Sequence, residues 1–289
     1  MNTKQVLLDI AKQDLEAAKS LYEKKLYPQA VFYLEQAVEK ATKSMGLYQN
    51  VISEDELKDI GHESIEIYVK VVEGLKNKLI RFQDRIKQFP KLKHTTLFKE
   101  YENLSLDKFD DMLNNFEFYI KHPDRQISET ELEKTIFELT KLETEIESQK
   151  ITIEKDEIEN FKPLFREVAD VISEQYPASK ETIEEELKKL ESVPLELMEE
   201  LMGLSIIQAI CNNHLLFLSA ISCPHAVSSR YPYPKYEHNP LTAYTGEHPL
   251  IKRFDQITRI IKGVLDKMSK LFSQDSSDKL KLLSKPTGG

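Results

Sequence analysis

Apolar residues recur every three or four positions along almost the whole chain, and no stretch is read as a strand. That period marks one face of an α-helix, whereas a half-buried strand needs a period of two. The chain is therefore expected to be all-α, with no sheet. Leu7, Ile10, Ala11, Ala18, Leu21 and Tyr22 form a first stripe, and Ala30, Leu34, Ala37, Ala41 and Met45 a second. The two helices meet at Leu26-Tyr27-Pro28, with Pro28 in the opening turn, where a missing N–H costs nothing. Small residues on the second stripe let a neighbouring helix approach closely, which predicts a central place in a bundle.

After the polar stretch Gln49–Ile60 and Gly61-His62-Glu63, a third stripe runs through Ile65, Tyr68, Val72, Leu75 and Leu79, and Phe89-Pro90 ends it. Helices are expected over Asp107–His122 and Ser128–Ser148. The second opens with Ser128 and Glu131 in capping-box spacing. With Ile158, Phe161, Phe165, Val168 and Ile172 it predicts an antiparallel pair carrying a solvated acidic face. Leu195–Ile221 is apolar on nearly all sides and reads as a buried central helix. Leu250–Phe272 is a last amphipathic helix, and the Ser-rich tail from Gln274 is expected to be disordered.

The formal net charge is −9, but it is unevenly placed. Residues 129–200 hold 22 Asp and Glu against 9 Lys and Arg, a local −13, so the other residues together carry +4. Residues 70–100 hold 9 basic side chains against 3 acidic ones, which puts positive charge at the C-terminal end of the third helix, where its dipole favours it. No apolar run approaches 18 residues, so no membrane span is expected. The opening MNTKQVLLDIAKQDLEAAK lacks the apolar core of a secretory leader, and two cysteines, Cys211 and Cys223, make no disulfide framework; both suit a cytoplasmic protein.

The chemistry concentrates in Ser222–Pro249, which holds five of the twelve prolines, four of the twelve tyrosines and three of the seven histidines. Read as a long loop, it sets Arg230, Lys235, His225, His238 and His248 beside Tyr231, Tyr233, Tyr236 and Tyr244. Cations next to flat rings are what a nucleotide or single-stranded RNA requires, because phosphate pairs with guanidinium and bases stack on aromatic faces. The bland alternative is a crossing loop packed on the bundle by its tyrosines and prolines. Cys211, His214, Cys223 and His225 fall within 15 positions, but their spacing matches no familiar zinc motif, and no metal site and no cofactor are predicted. His62, after Gly61 at a helix start, is placed to face a phosphate. Phosphate-loop, dinucleotide, zinc-protease and nucleophile-elbow motifs are absent.

Asp14-Leu15-Glu16-Ala17-Ala18-Lys19, Tyr27-Pro28-Gln29-Ala30-Val31-Phe32 and Glu35-Gln36-Ala37-Val38-Glu39-Lys40-Ala41 resemble the first two helices of the HEPN family. Gly61-His62 before the third helix and Arg230-Tyr231-Pro232 before the last are similar to features at the corresponding places in that family. The resemblance lies in two blocks, 1–87 and 201–273, with 88–200 as an acidic helical insertion or extension and 274–289 as the tail. It implies an antiparallel, commonly dimeric bundle. It also implies a nucleotide- or RNA-binding protein, the partner of a nucleotidyltransferase or antitoxin in a toxin–antitoxin or defence system. HEPN ribonucleases carry Arg and His separated by four to six residues; here seven residues separate Arg230 from His238 and eight separate Arg85 from His94. No catalytic residue is carried over, and a non-catalytic binder is the expectation. The candidate pocket residues are Gly61, His62, His225, Arg230, Tyr231, Pro232 and His238. Two alternatives stand beside it: a protein-interaction scaffold using the acidic insertion, and a metal-independent ribonuclease with an atypical Arg/His site.

Overall fold

A computed structural model describes residues 2–60, 64–96, 105–121, 127–148, 155–232 and 238–274. The candidates Gly61 and His62, and the tail from 275, lie outside these residues. The described elements are helices and turns, with no strand among them. They are α1 (Thr3–Glu23), α2 (Tyr27–Tyr48), α3 (Ile65–Gln88), α4 (Asp107–Lys121), α5 (Glu129–Ser148), α6 (Lys155–Gln175), α7 (Lys180–Glu191) and α8 (Leu195–Ser222). Three short turns, α9 (His225–Ser228), α10 (Pro240–Ala243) and α11 (Pro249–Lys252), lead to the last helix, α12 (Phe254–Ser273).

The chain divides into two compact units. The first draws on Met1–Val71, Met112–Gln149 and Ile206–Gln274, the second on Val72–Asp111 and Lys150–Ser205. Helices α3, α4 and α8 contribute residues to both.

In the first unit α1 and α2 form an antiparallel hairpin. Leu8, Ala11, Leu15 and Ala18 are buried on one side and Ala30, Leu34, Ala37, Ala41 and Met45 on the other. The α2 stripe is the one expected from periodicity, whereas on α1 the fully buried face is centred on Leu8 and Leu15, with Leu7, Ile10, Leu21 and Tyr22 half-buried beside it. Each helix ends in a Schellman motif. Lys25 (φ 61°) and Asn50 (φ 55°) take the left-handed position, and the next amides, of Leu26 and Val51, bond back to Leu21 O and Gly46 O. The last helix lies antiparallel to α1, since Phe254 stacks on Tyr22 (4.3 Å between ring centroids) while Lys4 sits over Phe272. Helix α8 runs antiparallel to α2, with Thr42 bonded to Ser219 and Gln49 to Asn212.

α5 belongs to this first unit and runs parallel to the last helix; three ion pairs tie it to that helix and the turn before it: Glu129 with Lys252 at the end of α11, Glu133 with Arg253 between α11 and α12, and Glu143 with Lys267 on α12. α5 and α6, expected as an antiparallel pair, fall in different units. α6 packs in the second unit, through Val168, Val171 and Ile172 against Ile86 and Leu92, with ion pairs from Glu174 to Lys91 and from Arg166 to Glu191. Part of the acidic face read as solvated is thus neutralised within the fold, because cations at 252, 253 and 267 fall in register with it. The capping box at Ser128 and Glu131 forms as expected, at 3.0 and 3.2 Å.

Two further expectations need correction. Ser222–Pro249 is not one loop: α9 and α10 lie within it, and α11 begins at Pro249. Asn239 and His248 cap α10 and α11 through Leu241 N and Leu250 N, each followed by a proline in the first turn. Helix α8, with a mean hydropathy of 1.5 over its most apolar 18 residues, is long and apolar enough to cross a membrane. Asn212, Asn213 and His214 interrupt its apolar run in the sequence, and Cys211, His214, Leu215 and Ser219 on its C-terminal half are buried within the unit.

Candidate functional site

α2 is the element on which the site rests. It is sheathed on nearly every side, and only Tyr27, Gln29, Phe32, Tyr33, Gln36 and Lys40 in its first four turns are half-buried or exposed. The chain leaving α9 crosses this stripe and sets Arg230 there. The guanidinium lies 4.9 Å from the Phe32 ring centroid and 5.2 Å from that of Tyr231, so it is flanked by two aromatic faces. Its Nε donates to Ala226 O at 2.9 Å, which fixes the side chain on the turn it follows. Among the described residues no hydrogen bond occupies its two terminal nitrogens. Arg230 is half-buried, while Tyr231, at 55% exposure, and Pro232 face solvent.

Beneath this surface α2 buries charge at positions off its apolar stripe. Glu35, Glu39 and Lys43 are buried. Gln36 Nε2 donates to Glu35 at 2.8 Å and to Glu39 at 3.2 Å, Lys43 bonds Glu39 at 2.7 Å, and Lys40 reaches Asp14 at 3.2 Å. Burial pushes the Glu35 carboxyl up to about 7. The Gln36 hydrogen bond opposes the rise, Glu39 adds to it, and Lys40 and Arg230 oppose it.

The histidines fall into a second layer. His225 is buried and does not reach the surface. Its Nδ1 bonds the Tyr244 hydroxyl at 2.6 Å, that hydroxyl bonds Ser228 Oγ at 2.7 Å, and Ser228 donates to Pro224 O at 2.9 Å. One proton arrangement makes all three bonds: Nδ1–H of His225 donates to Tyr244, Tyr244 to Ser228 and Ser228 to the carbonyl. His248 packs against both rings, 5.5 Å from His225 and 4.7 Å from Tyr244, and its Nδ1 accepts the Leu250 N–H at 3.2 Å. The Nε2 atoms of His225 and His248 are buried without a hydrogen-bond partner. Burial, reinforced by the neighbouring His248 and His238, holds His225 down at about 3, and burial holds His248 at about 4. It also raises the Tyr244 hydroxyl to about 12. His238 donates from Nε2 to Ser228 O at 2.7 Å, so Arg230 and His238 both hang on carbonyls of the same short turn, α9.

Of the residues expected to form a pocket, the structure brings Arg230, Tyr231, Pro232 and His238 together around α9. His225 supports that turn from inside. Phe32 and Glu35 were not anticipated, whereas Tyr244 and His248 belong to the Tyr- and His-rich segment singled out in the sequence. Cys211 and His214 pack inside α8's interface, facing Val264 O and Ile210 O, and among the described residues no group of three or more His, Cys, Asp or Glu could hold a metal ion. A separate cavity of about 540 Å³, between α5 and α8, is lined by Ile127, Leu139, Phe217 and Ile221 with Glu131 and Lys134. It shares no residue with the Arg230 cluster.

These observations define an all-helical bundle whose central helix carries a guanidinium between two rings. Residues 5–136, from α1 into α5, match the family model of the HEPN domain. The Arg230 segment lies beyond the matched residues and closes onto α2, within them. No curated protein and no solved structure matches the chain.

Proposed function

We propose that the protein binds a nucleotide or single-stranded RNA at Arg230, without catalysing its cleavage. The observation that carries this is the Arg230 guanidinium held between Phe32 and Tyr231 with its terminal nitrogens directed to no described partner. Such a group offers a bidentate contact to phosphate. The exposed Tyr231 ring beside it offers a face for a base. The HEPN match supports the same reading, since nucleotide binding and RNA processing are what the family resemblance implies. A cytoplasmic place in a prokaryotic toxin–antitoxin or defence system, as a homodimer with a nucleotidyltransferase or antitoxin partner, completes the proposal on that resemblance alone.

The test is titration of the full chain with a panel of nucleotides and short RNAs, followed by fluorescence anisotropy or calorimetry. Arg230→Ala should weaken binding at least tenfold with the helical content unchanged. Absence of binding by the wild type, or equal binding by Arg230→Ala, overturns the proposal. Arg230 and His238 share the α9 turn, which favours a ribonuclease as the second reading. RNA cleavage that survives purification and disappears in His238→Ala would establish it instead.

A further inference from the structure

We infer that Lys78, Arg81 and Arg85 on α3 form a contact surface for the phosphodiester backbone of single-stranded RNA, separate from Arg230. The inference deepens the proposed function, on which it rests for the class of ligand, by choosing a polynucleotide over a mononucleotide.

The three residues stand at i, i+3 and i+7, so they share one face of α3, and all three are exposed. That face lies wholly in the second unit. The other side of α3 is turned inward and buries Leu79 and Ile86. One turn before Lys78 the exposed face continues to Gly74, where an added Cβ would meet nothing within 4 Å.

The neighbouring charges are sorted around this face. Lys76 pairs with Asp110, Lys87 with Asp84 and Lys91 with Glu174. The ion pairs of the second unit leave Lys78, Arg81 and Arg85 unpaired among the described residues. Glu73 and Asp84, the acids of this part of α3, lie a quarter turn or more around the helix. In a protein whose net charge is −9, the acids are engaged on the flanks and a ridge of one positive sign remains.

Such a ridge attracts a line of the opposite sign. Three cations along about 10 Å of helix axis match the repeating charge of a nucleic-acid backbone. Two of them are arginines, whose planar fork takes two oxygens of one phosphate. A lipid surface fits less well, because Leu75 is the one large exposed apolar side chain of α3 and an interfacial helix needs an apolar face to insert.

Counterion release makes the contact measurable. Each backbone contact to a single strand adds about 0.7 to the slope of log affinity against log salt, so three add about 2. Between 50 and 200 mM salt that is about a 20-fold loss of affinity. The full chain is titrated with an oligoribonucleotide of about 16 nucleotides and, separately, with adenosine and uridine monophosphates. The combined variant Lys78→Gln, Arg81→Gln, Arg85→Gln should lower the oligomer's slope by about 2 and leave monophosphate binding unchanged. Lys24→Gln, Lys58→Gln and Lys180→Gln together remove the same charge from three scattered exposed positions and should move the slope by less than half as much. Arg81→Lys with Arg85→Lys should keep it, since counterion release counts charge.

An unchanged slope in the combined variant, or an equal fall with the scattered lysines, overturns the inference and leaves the proposed function standing. No oligomer binding by the wild type at 50 mM salt also overturns it, and the monophosphates then test the proposed function alone. Oligomer binding that depends on this face and not on Arg230 overturns the proposed site instead. Binding to phosphatidylserine vesicles without binding to the oligomer assigns the face to a membrane and overturns the inference. If the combined variant does not fold, the wild-type slope decides, because a value below about 2 leaves no room for three contacts.

Discussion

Acid should destabilise this protein through two histidines while Glu35 resists it, and the two effects can be separated. His225 and His248 have folded values depressed to about 3 and about 4, against an ordinary 6.5. Their stabilisation is therefore full above about pH 6.5 and is lost as pH falls toward those folded values. Between pH 7.5 and 5.5 each binds close to one proton in the unfolded chain and almost none in the folded one. Together they remove about 3 kcal/mol. Glu35 has the opposite sign: its folded value is raised to about 7 from 4.5, so folding takes up a proton below pH 7 and returns about 2 kcal/mol over the same interval. The wild type should lose about 1 kcal/mol, and Glu35→Gln, which lacks the compensation, about 3 kcal/mol. Urea denaturation followed by circular dichroism at 222 nm, at pH 7.5, 6.5 and 5.5, measures both. This interval lies above the titration of ordinary carboxylates. A Glu35→Gln protein losing no more than the wild type would refute the assignment of two buried neutral imidazoles and a buried carboxylic acid.

Tyr244→Phe keeps the ring between His225 and His248 but leaves the His225 Nδ1–H and Ser228 Oγ without the hydroxyl that joins them. Thermal or urea unfolding should show a loss of about 1–3 kcal/mol; a change within error would mean the network is dispensable. At Gly46 an added Cβ would stand 3.1 Å from side-chain atoms of Ile52 and Ile67, within the small core formed by Ile52, Ile60 and Ile67. Gly46→Ala gains about 1 kcal/mol of helix propensity against an overpacking cost of about 1–3 kcal/mol. A net loss of about 1 kcal/mol is expected, and a stabilised variant would show that Ile52 gives way without cost.

The bundle was legible where local pattern suffices. The stripe of α2, the proline opening α2, the capping box of α5 and the amphipathic last helix each follow from spacing within one segment. What a neighbour imposes was not legible. Glu35, Glu39 and Lys43 lie off the apolar stripe, and burial reaches them because α2 is enclosed, a fact its own sequence does not contain. The register of Glu129, Glu133 and Glu143 with Lys252, Arg253 and Lys267 spans more than a hundred residues and has no periodic signature. Asn239-Pro240 and His248-Pro249 did carry a readable signal, a capping residue followed by a first-turn proline, which could have divided the segment read as a single loop. The pairing of His225 with Tyr244 and His248 had none. Of the proposed pocket, Arg230, Tyr231 and His238 were found from composition and Pro232 from the family resemblance, whereas Phe32 entered only as part of the α2 sequence that carries that resemblance.

The three acid–base rungs between α5 and the last helix bear on how the protein is made. Every cationic member is encoded within the final forty residues of the chain. A nascent polypeptide still short of that point has synthesised α1, α2 and α5, yet the aromatic partner of Tyr22 and the counter-ions of α5 are not yet available to them. The first unit therefore closes only after residues 250–274 have been synthesised, and ribosome-stalled chains ending before residue 250 should remain open to protease while those extended past residue 274 resist it.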